Sequence, residues 1–383
     1  MSSLLPRSVV LATHYHSTGA PLELEGFLRS RAETLLFIAH PLYKDSRASY
    51  WRRYSRGELV AAGEWPAPRG PTRYIREIAR TIAIVGATQE AFDAFIAADN
   101  LLALAGFWLR RRRRVRNVVL YSIDFSPRRF RNQLINRIYH RVDRFAAQHA
   151  DLCWGVSEAI FIARQERDKL PAQSHQVVVP VGAHFERIRR LHLSEVSGRQ
   201  IVFVGNLNET QGLQLIIDAL PAILSALPDA TLLVLGDGPY MSSLKAQVER
   251  LQVQDSVEFA GFIEDHSEIE RRLAGSALAV ATYVPDPLNF SRFADPMKIK
   301  TYLACGLPVV MTDVPEIAHS IERQGAGCIV PYDADAAAAA IIRYLADPRM
   351  LQQAREAAGQ VAIDYQWDRI FEGAFEASMP VLG

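Results

Sequence analysis

Six short apolar runs, spaced through the second half of the chain, constrain the fold more than any other feature. They are IVFVG (201–205), ATLLVLG (230–236), SVEFAG (256–261), ALAVATY (277–283), LPVVMT (307–312) and GCIVPY (327–332). Each is four to seven residues of mostly β-branched or aliphatic side chains, too short for a buried helix and right for a strand covered on both faces. Segments with helical spacing separate them: 212–227, 242–252, 268–275, 296–304, 315–323 and 335–346. Strand and helix in strict alternation predict βαβ units and a parallel sheet.

The first half follows the same scheme less cleanly. VVLAT (9–13), TLLFIAH (34–40), NVVLYSI (117–123), ADLCWGVS (150–157) and HQVVVPVG (175–182) are strand candidates, and 22–31, 74–87 and 127–150 are helix candidates. Residues 50–70 show no regular spacing and are expected to be irregular. The chain is therefore expected to be α/β, with two Rossmann-like domains facing across a cleft, where open α/β sheets bind their ligands. The expected limits are 1–190 for a basic first domain and 191–363 for the second, with RIRRLHLSEVSGRQ (187–200) as a polar linker. Residues 364–382 have helical spacing and are expected to cross back to the first domain.

Charge divides the same way. Residues 1–200 hold 31 Lys and Arg against 18 Asp and Glu, and the remainder holds 12 against 24. A near-neutral total of +1 thus hides a basic half, suited to an anionic surface, and an acidic one. Hydrophobic residues make up 49% and no apolar run reaches the roughly 20 residues of a membrane span. The start, MSSLLPRSVVLATHYH, passes directly into a strand, so no signal peptide is expected. Three scattered cysteines, Cys153, Cys305 and Cys328, argue for a reducing compartment and against a disulfide framework or a zinc site.

Two glycine turns follow strands: FVGNLNETQG (203–212) and LGDGP (235–239). A helix starting near Gly212 would offer free N–H groups to an anion. Neither turn has the dinucleotide G-x-G-x-x-G pattern, and no P-loop occurs. Read alone, each is an ordinary β–α turn. In order, however, FVGxL…GLxLxIxAL, LGDGP, VEFAGF and ACGLPVV…PEI…GAGCIVPYDADAAAAAI resemble the nucleotide-binding domain of GT-B glycosyltransferases, especially glycosyltransferase family 4, over residues 200–350. The resemblance implies a GT-B fold, a nucleoside-diphosphate sugar donor (UDP-linked as the first expectation) with no further cofactor, and sugar transfer to a glycan or polyprenyl-diphosphate-linked acceptor in cell-surface polysaccharide or glycolipid synthesis. Gly205, Asn206 and Gly236 would then border the nucleotide.

The departures from that family are specific. Its loop Arg and Lys are replaced here by Asn206 and Gln211, and its two glutamates by Phe293 and Thr301. Lys298 remains as the natural counter-charge for a diphosphate. The set Tyr283, Met297 and Lys298 is similar to that of the inverting xanthan glucuronosyltransferase, which would put Tyr283 and Met297 beside the base or ribose. Lys300, two residues further on, is expected in solvent.

Asp124 follows a strand and precedes Pro127 and a basic helix. It is the expected base of an inverting transfer, with a helix or turn cap as its alternative. His14 and His16 follow the first strand, and either could act as base or bind diphosphate. Gly19 could let backbone approach the phosphates. Asp99-Asn100 reads first as a helix cap and second as an acceptor contact. Asp333-Ala-Asp335 spells D-x-D but opens an alanine-rich helix, so capping is expected and no metal. Six arginines in residues 110–116, with more in 128–144 and aromatics between them, suggest peripheral contact with an anionic membrane. The expected place is the cytoplasm, at the inner face of the cell membrane, with no nucleic acid as partner. A sugar-nucleotide epimerase and a catalytically degenerate binding subunit remain alternatives.

Overall fold

The computed structural model describes residues 5–15, 19–42, 48–68, 70, 72–168 and 175–383. They form two compact units, Met1–Pro180 with Trp367–Gly383, and Val181–Gln366.

The first unit begins β1 (Ser8–Tyr15), α1 (Ala20–Arg29), β2 (Thr34–Pro41), β3 (Ser49–Ser55), β4 (Glu58–Trp65) and α2 (Arg73–Ala87). It continues β5 (Phe92–Ala97), α3 (Asn100–Arg111), β6 (Val115–Ser122), α4 (Gln133–His149), β7 (Leu152–Gly155), α5 (Glu158–Asp168) and β8 (Gln176–Val178). The sheet order is β4-β3-β2-β1-β5-β6-β7-β8. All neighbours are parallel except the β2–β3 and β3–β4 pairs. Within the stretch 50–70, expected to be irregular, the chain thus forms an antiparallel hairpin that ends at Trp65. Its turn, Arg56-Gly57, has positive φ at both residues (47° and 88°), the backbone of a two-residue hairpin turn without the usual Asn-Gly signal.

The second unit runs β9 (Gln200–Val204), α6 (Leu213–Ala226), β10 (Thr231–Leu235), α7 (Met241–Arg250), β11 (Val257–Gly261), α8 (His266–Ala274) and β12 (Leu278–Ala281). It then runs α9 (Met297–Ala304), β13 (Val309–Thr312), α10 (Ile317–Arg323), β14 (Gly327–Val330), α11 (Ala334–Ala346) and α12 (Pro348–Ile363). All strands are parallel, in the order β11-β10-β9-β12-β13-β14. This is the doubly wound arrangement, in which strand order reverses beside the first strand. Alternate side chains of β9 feed two cores: Ile201 and Phe203 join α6 and α11, while Val202 joins α9 and α12. Both faces are dry, which is why its strands read as unbroken apolar runs.

The final helix, α13 (Trp367–Leu382), packs in the first unit. Phe371 and Phe375 meet Phe27 at 5.3 and 6.0 Å, and Trp154 donates to Ser378 Oγ at 2.9 Å. Two further readings of the sequence change. The polar stretch 187–200 is not a free linker: Ile188 is buried, Arg187 pairs with Glu270, and Arg355 donates to Leu191 O. Lys300 is not in solvent. It is fully buried against Asp295, whose other oxygen accepts from Val181 N at 2.7 Å. The reason is that α9 has no wet face at that turn, with Ile299, Tyr302 and Leu303 all at 0% exposure.

Candidate active site

In the second unit the order reversal falls between β9 and β12, and the glycine turns gather there. Gly205 and Gly236 leave β9 and β10 with φ of 144°. A Cβ on Gly236 would lie 1.9 Å from Gly205 O, so the two turns can lie against each other only with glycine there. Gly212, at φ 75°, starts α6; a Cβ on it would lie 1.6 Å from Thr282 O. This close approach, sealed by Thr282 Oγ1 donating to Gly212 O at 2.8 Å, fixes the start of α6 against the end of β12. The α6 start has no side-chain cap and no acid in its first turn; Leu215 N donates to Gly212 O at 3.1 Å, and the Leu213 and Gln214 N–H groups lie at the positive dipole end.

Lys298 sits in this setting. Its Nζ donates to Gln211 Oε1 at 2.7 Å and lies 4.3 Å from the Phe203 ring centre and 4.7 Å from that of Tyr283. A Cβ on Gly205 would be 3.5 Å from it. Desolvation pulls its pKa down to about 7, and no carboxylate among the described residues opposes the shift. The loop position that carries Lys in the related pattern is therefore the Gln that holds Lys298. Tyr283 is buried, its ring a wall for the ammonium and its carbonyl accepting from Thr312 Oγ1. Met297 opens α9, partly buried, and Asn206 is exposed in the first glycine turn.

In the first unit the order reverses between β1 and β5. There His14, near the end of β1, meets Asp99, just after β5. The imidazole Nδ1 lies 2.7 Å from Asp99 Oδ2, and Nε2 lies 3.1 Å from Glu77 Oε2. Glu77 also accepts from Arg73 Nε at 2.8 Å. Desolvation lowers the His14 pKa, but Asp99 and Glu77 together more than reverse this and leave it at about 9. His14 is thus a held imidazolium with both nitrogens committed, which removes it as a base. His40, whose ring centre is 5.7 Å away, is held neutral, down to about 4, by desolvation and then by the charge on His14.

These two shifts set a pH optimum for stability. The His14 contribution is complete below 6.5 and lost as pH rises toward 9. The His40 contribution is complete above 6.5 and lost as pH falls toward 4. Denaturant midpoints of the first unit should therefore peak near the shared reference value of 6.5, with on the order of 3 kcal/mol lost on each limb. His14→Gln should flatten the alkaline limb; an unchanged limb would refute the assignment.

Asp124 follows β6. Its Oδ2 accepts from Arg129 Nη1 at 2.7 Å, and the side chain is 65% exposed. It lines a cavity of about 230 Å³ together with His14, Asp99, Arg129 and Tyr139. Asp99 is the cap that the sequence suggested, accepting from Leu101 N and Leu102 N at 2.9 Å, and it holds His14 as well. Gly19 begins α1 at φ 147° without a side-chain cap. His16 lies outside the described residues. Asp333 accepts from Ala336 N at 2.9 Å and so caps α11. The sequence reading missed Arg73, Glu77, Arg129, Tyr139, Asp143 and Arg164; the i,i+4 spacing of Arg73 and Glu77 was the one local signal.

The basic region divides. Arg110 to Arg116 lie at the start of β6, whereas Arg128, Arg129 and Arg131 follow its end, ~26 Å away along an eight-residue strand. Arg110 pairs with Asp151, Arg114 donates to Gly86 O, and Arg112 stacks on Trp108. The first half of α4 is different: Leu134, Ile135 and Ile138 are 64, 47 and 53% exposed beside Arg137 and Arg141.

Residues 198–347 match the family described as glycosyl transferases group 1. The match spans 150 of the 383 residues. It contains the glycine turns, Tyr283 and Lys298. Over 215 residues the chain is 27% identical to the GDP-mannose-dependent alpha-(1-6)-phosphatidylinositol dimannoside mannosyltransferase of Mycobacterium tuberculosis, covering 50% of this chain and 53% of that one. Over 187 residues it is 26% identical to the alpha-monoglucosyldiacylglycerol synthase of Streptococcus pneumoniae, covering 45% and 40%. The chain thus spans about half the length of these relatives. Among solved structures, Anabaena HepE in complex with UDP and glucose matches with a TM-score of 0.70 at 18% identity, over 97% of this chain and 98% of that one. Sucrose-phosphate synthase from Thermosynechococcus elongatus matches at 0.69 and 16%, over 96% of each. The fold is accordingly GT-B, with two Rossmann-like units.

Proposed function

We propose that the protein moves a sugar from a nucleoside-diphosphate sugar to a hydroxyl of a glycan or lipid-linked acceptor, with inversion, in the making of a cell-surface polysaccharide or glycolipid. The observation that carries this reading is Lys298: a desolvated ammonium with no carboxylate partner among the described residues, at the order reversal of the stretch that matches group 1 glycosyl transferases, beside an uncapped helix start. A diphosphate supplies the missing anion. The α6 N–H groups and Lys298 would bear the charge that develops on the leaving diphosphate. Met297 and Tyr283 would border the ribose or base. UDP and GDP are the first carriers to test, because UDP is bound in the HepE structure and the mycobacterial relative is GDP-mannose-dependent.

Asp124 is proposed as the base that takes the acceptor hydroxyl's proton. Asp124 pairs with Arg129 through Oδ2 and is 65% exposed, whereas each nearby acid has both oxygens engaged: Asp99 by His14 and the α3 cap, Glu77 by His14 and Arg73, Asp143 by Arg164 and Arg167. Calorimetry with UDP, GDP and ADP on wild type and Lys298→Ala tests the donor half of this reading. A second reading, a binding subunit without turnover, is favoured by Asn206, Gln211, Phe293 and Thr301, which replace charged residues of the related pattern. Release of free nucleotide from a nucleotide sugar in the presence of acceptor separates the two.

Among the described residues no helix is long and apolar enough to cross a membrane. Peripheral contact with the anionic inner face is proposed instead, through the first half of α4. Liposomes containing anionic lipid should retain the protein at low salt. Replacing Leu134, Ile135 and Ile138 together by serine should release most of it, and equal retention would sink the assignment.

A further inference from the structure

In the loop after β12 the usual order of inside and outside is reversed. Leu288 and Phe290 are 60 and 47% exposed, while Asn289 between them is 2% exposed. A buried amide is costly unless its donors and acceptor find partners. Here they do. Asn289 Oδ1 accepts from Ser291 N at 3.1 Å, and Nδ2 donates to Thr210 O at 3.1 Å and to Val284 O at 2.8 Å.

The two carbonyls belong to two different loops, and both loops border Lys298. Thr210 precedes Gln211, whose Oε1 accepts from Lys298 Nζ. Val284 follows Tyr283, whose ring faces the same ammonium. Val284 N adds a bond to Thr210 O at 3.1 Å. On the other side of Gln211, Thr282 Oγ1 donates to Gly212 O at 2.8 Å. Gln211 therefore stands between two carbonyls, each held by a side chain that follows β12.

The turn that carries Gln211 has little to hold it from within. Glu209–Gln211 is a single 3₁₀ turn, closed by Gln211 N donating to Asn208 O and Gly212 N to Glu209 O. One such turn fixes several dihedrals for few bonds, so its geometry depends on ties from outside. A small shift of its backbone would swing the long Gln211 side chain away from the ammonium.

We propose that Asn289, assisted by Thr282, is a positioning residue of the nucleotide site: their hydrogen bonds to the carbonyls on either side of Gln211 aim its side chain at Lys298 and keep the ammonium enclosed. The nucleotide as ligand rests on the glycosyl-transfer reading, whereas the enclosure of Lys298 stands without it.

The test uses the full chain labelled with ¹³Cε-lysine. The chain has five lysines, and the Lys298 signal is the one lost in Lys298→Ala. Burial lowers the Lys298 pKa to about 7; it also holds the Tyr283 phenol protonated, and Lys300 on the same helix turns to Asp295. Asn289→Ser keeps an oxygen for Ser291 N and removes the amide N–H donors. Water should then reach the ammonium, and Lys298 should titrate at higher pH than in the wild type. Affinity for UDP or GDP, measured by calorimetry, should fall about tenfold, the effect of one lost hydrogen bond. In a Gln211→Ala background Asn289→Ser should cause no further loss, because both act through one contact. Thr282→Val should resemble Asn289→Ser, and Thr282→Ser, which keeps the hydroxyl, should restore wild-type values; this pair decides if Asn289→Ser fails to fold. A wild-type Lys298 titration in Asn289→Ser, an unchanged nucleotide affinity, or a loss that simply adds to that of Gln211→Ala would overturn the proposal and leave Asn289 a residue that serves the loop alone. Nucleotide binding that is indifferent to Asn289→Ser defeats this inference and leaves the transferase reading intact. If the wild type binds neither nucleotide, the transferase reading fails, and the Lys298 titration decides the positioning role.

Discussion

Lys298→Ala is expected to weaken nucleoside-diphosphate binding by about 10- to 100-fold, the range of a lost hydrogen bond to a charged group. Lys298 has two features that make this effect large. The ammonium is partly buried against Phe203 and Tyr283, where a charge interaction is screened little. Among the described residues its hydrogen-bond partner is the neutral Gln211, so a phosphate oxygen displaces no competing carboxylate there. A pH dependence follows with a definite sign. The free lysine has its pKa lowered to about 7, and a bound diphosphate must raise it. Affinity should then be complete below pH 7 and fall as pH rises above it. At pH 8 binding should take up protons, seen as a calorimetric enthalpy that varies with the ionisation heat of the buffer. Lys298→Gln should bind weakly and without that variation. Wild-type affinity in Lys298→Ala, or a buffer-independent enthalpy for wild type, would return Lys298 to the role of a helix side chain that supports Gln211.

Asp124→Asn is expected to lower kcat by about 10²- to 10⁴-fold, the usual contribution of a positioned base, with the nucleotide Kd unchanged. The substitution keeps the shape and still allows Arg129 to be contacted through the amide oxygen, so a loss confined to turnover reports on proton transfer. The site is well suited to this separation. Asp124 is 65% exposed and makes one ion pair through Oδ2, so it carries no core packing. His14→Gln provides the contrast: its imidazolium is tied to Asp99 and Glu77, so its loss should appear in stability, with much less change in turnover at neutral pH. Full activity in Asp124→Asn would exclude it as the base and favour the binding-subunit reading for this chain.

Much of the second unit was legible because of how it is solvated. A parallel sheet covered on both faces has no wet side, so each strand becomes an apolar run; five of the six runs contain their strand whole, and the run 201–205 contains all of β9 but Gln200. Turn glycines were legible for a similarly local reason. Gly205 and Gly236 hold positive φ at strand ends and Gly212 at the start of α6, a demand the backbone itself makes. In the first unit, local signals were weaker. The β3–β4 hairpin has its turn at Arg56-Gly57, and Arg52 and Arg53 break up its apolar pattern, as suits strands at a sheet edge. Helix α3 was masked by the arginine run into which it leads, although Leu102, Ala105 and Leu109 bury its inner face.

The sequence alone determined the order and type of most elements, the strand ends at which ligand-facing loops emerge, and the candidacy of Lys298 and Asp124. Those are properties of periodicity and local backbone demand, which a chain carries residue by residue. The tertiary structure decided which charges are spent and which remain. His14 meets Glu77 at a sequence separation of 63 and Asp99 at one of 85, Lys298 meets Gln211 at one of 87, and Lys300 turns inward to Asp295 because its helix has no wet face at that turn. Whether a charged group is paired, desolvated or free depends on distances through space, and those exist only once the sheets have brought distant loops together.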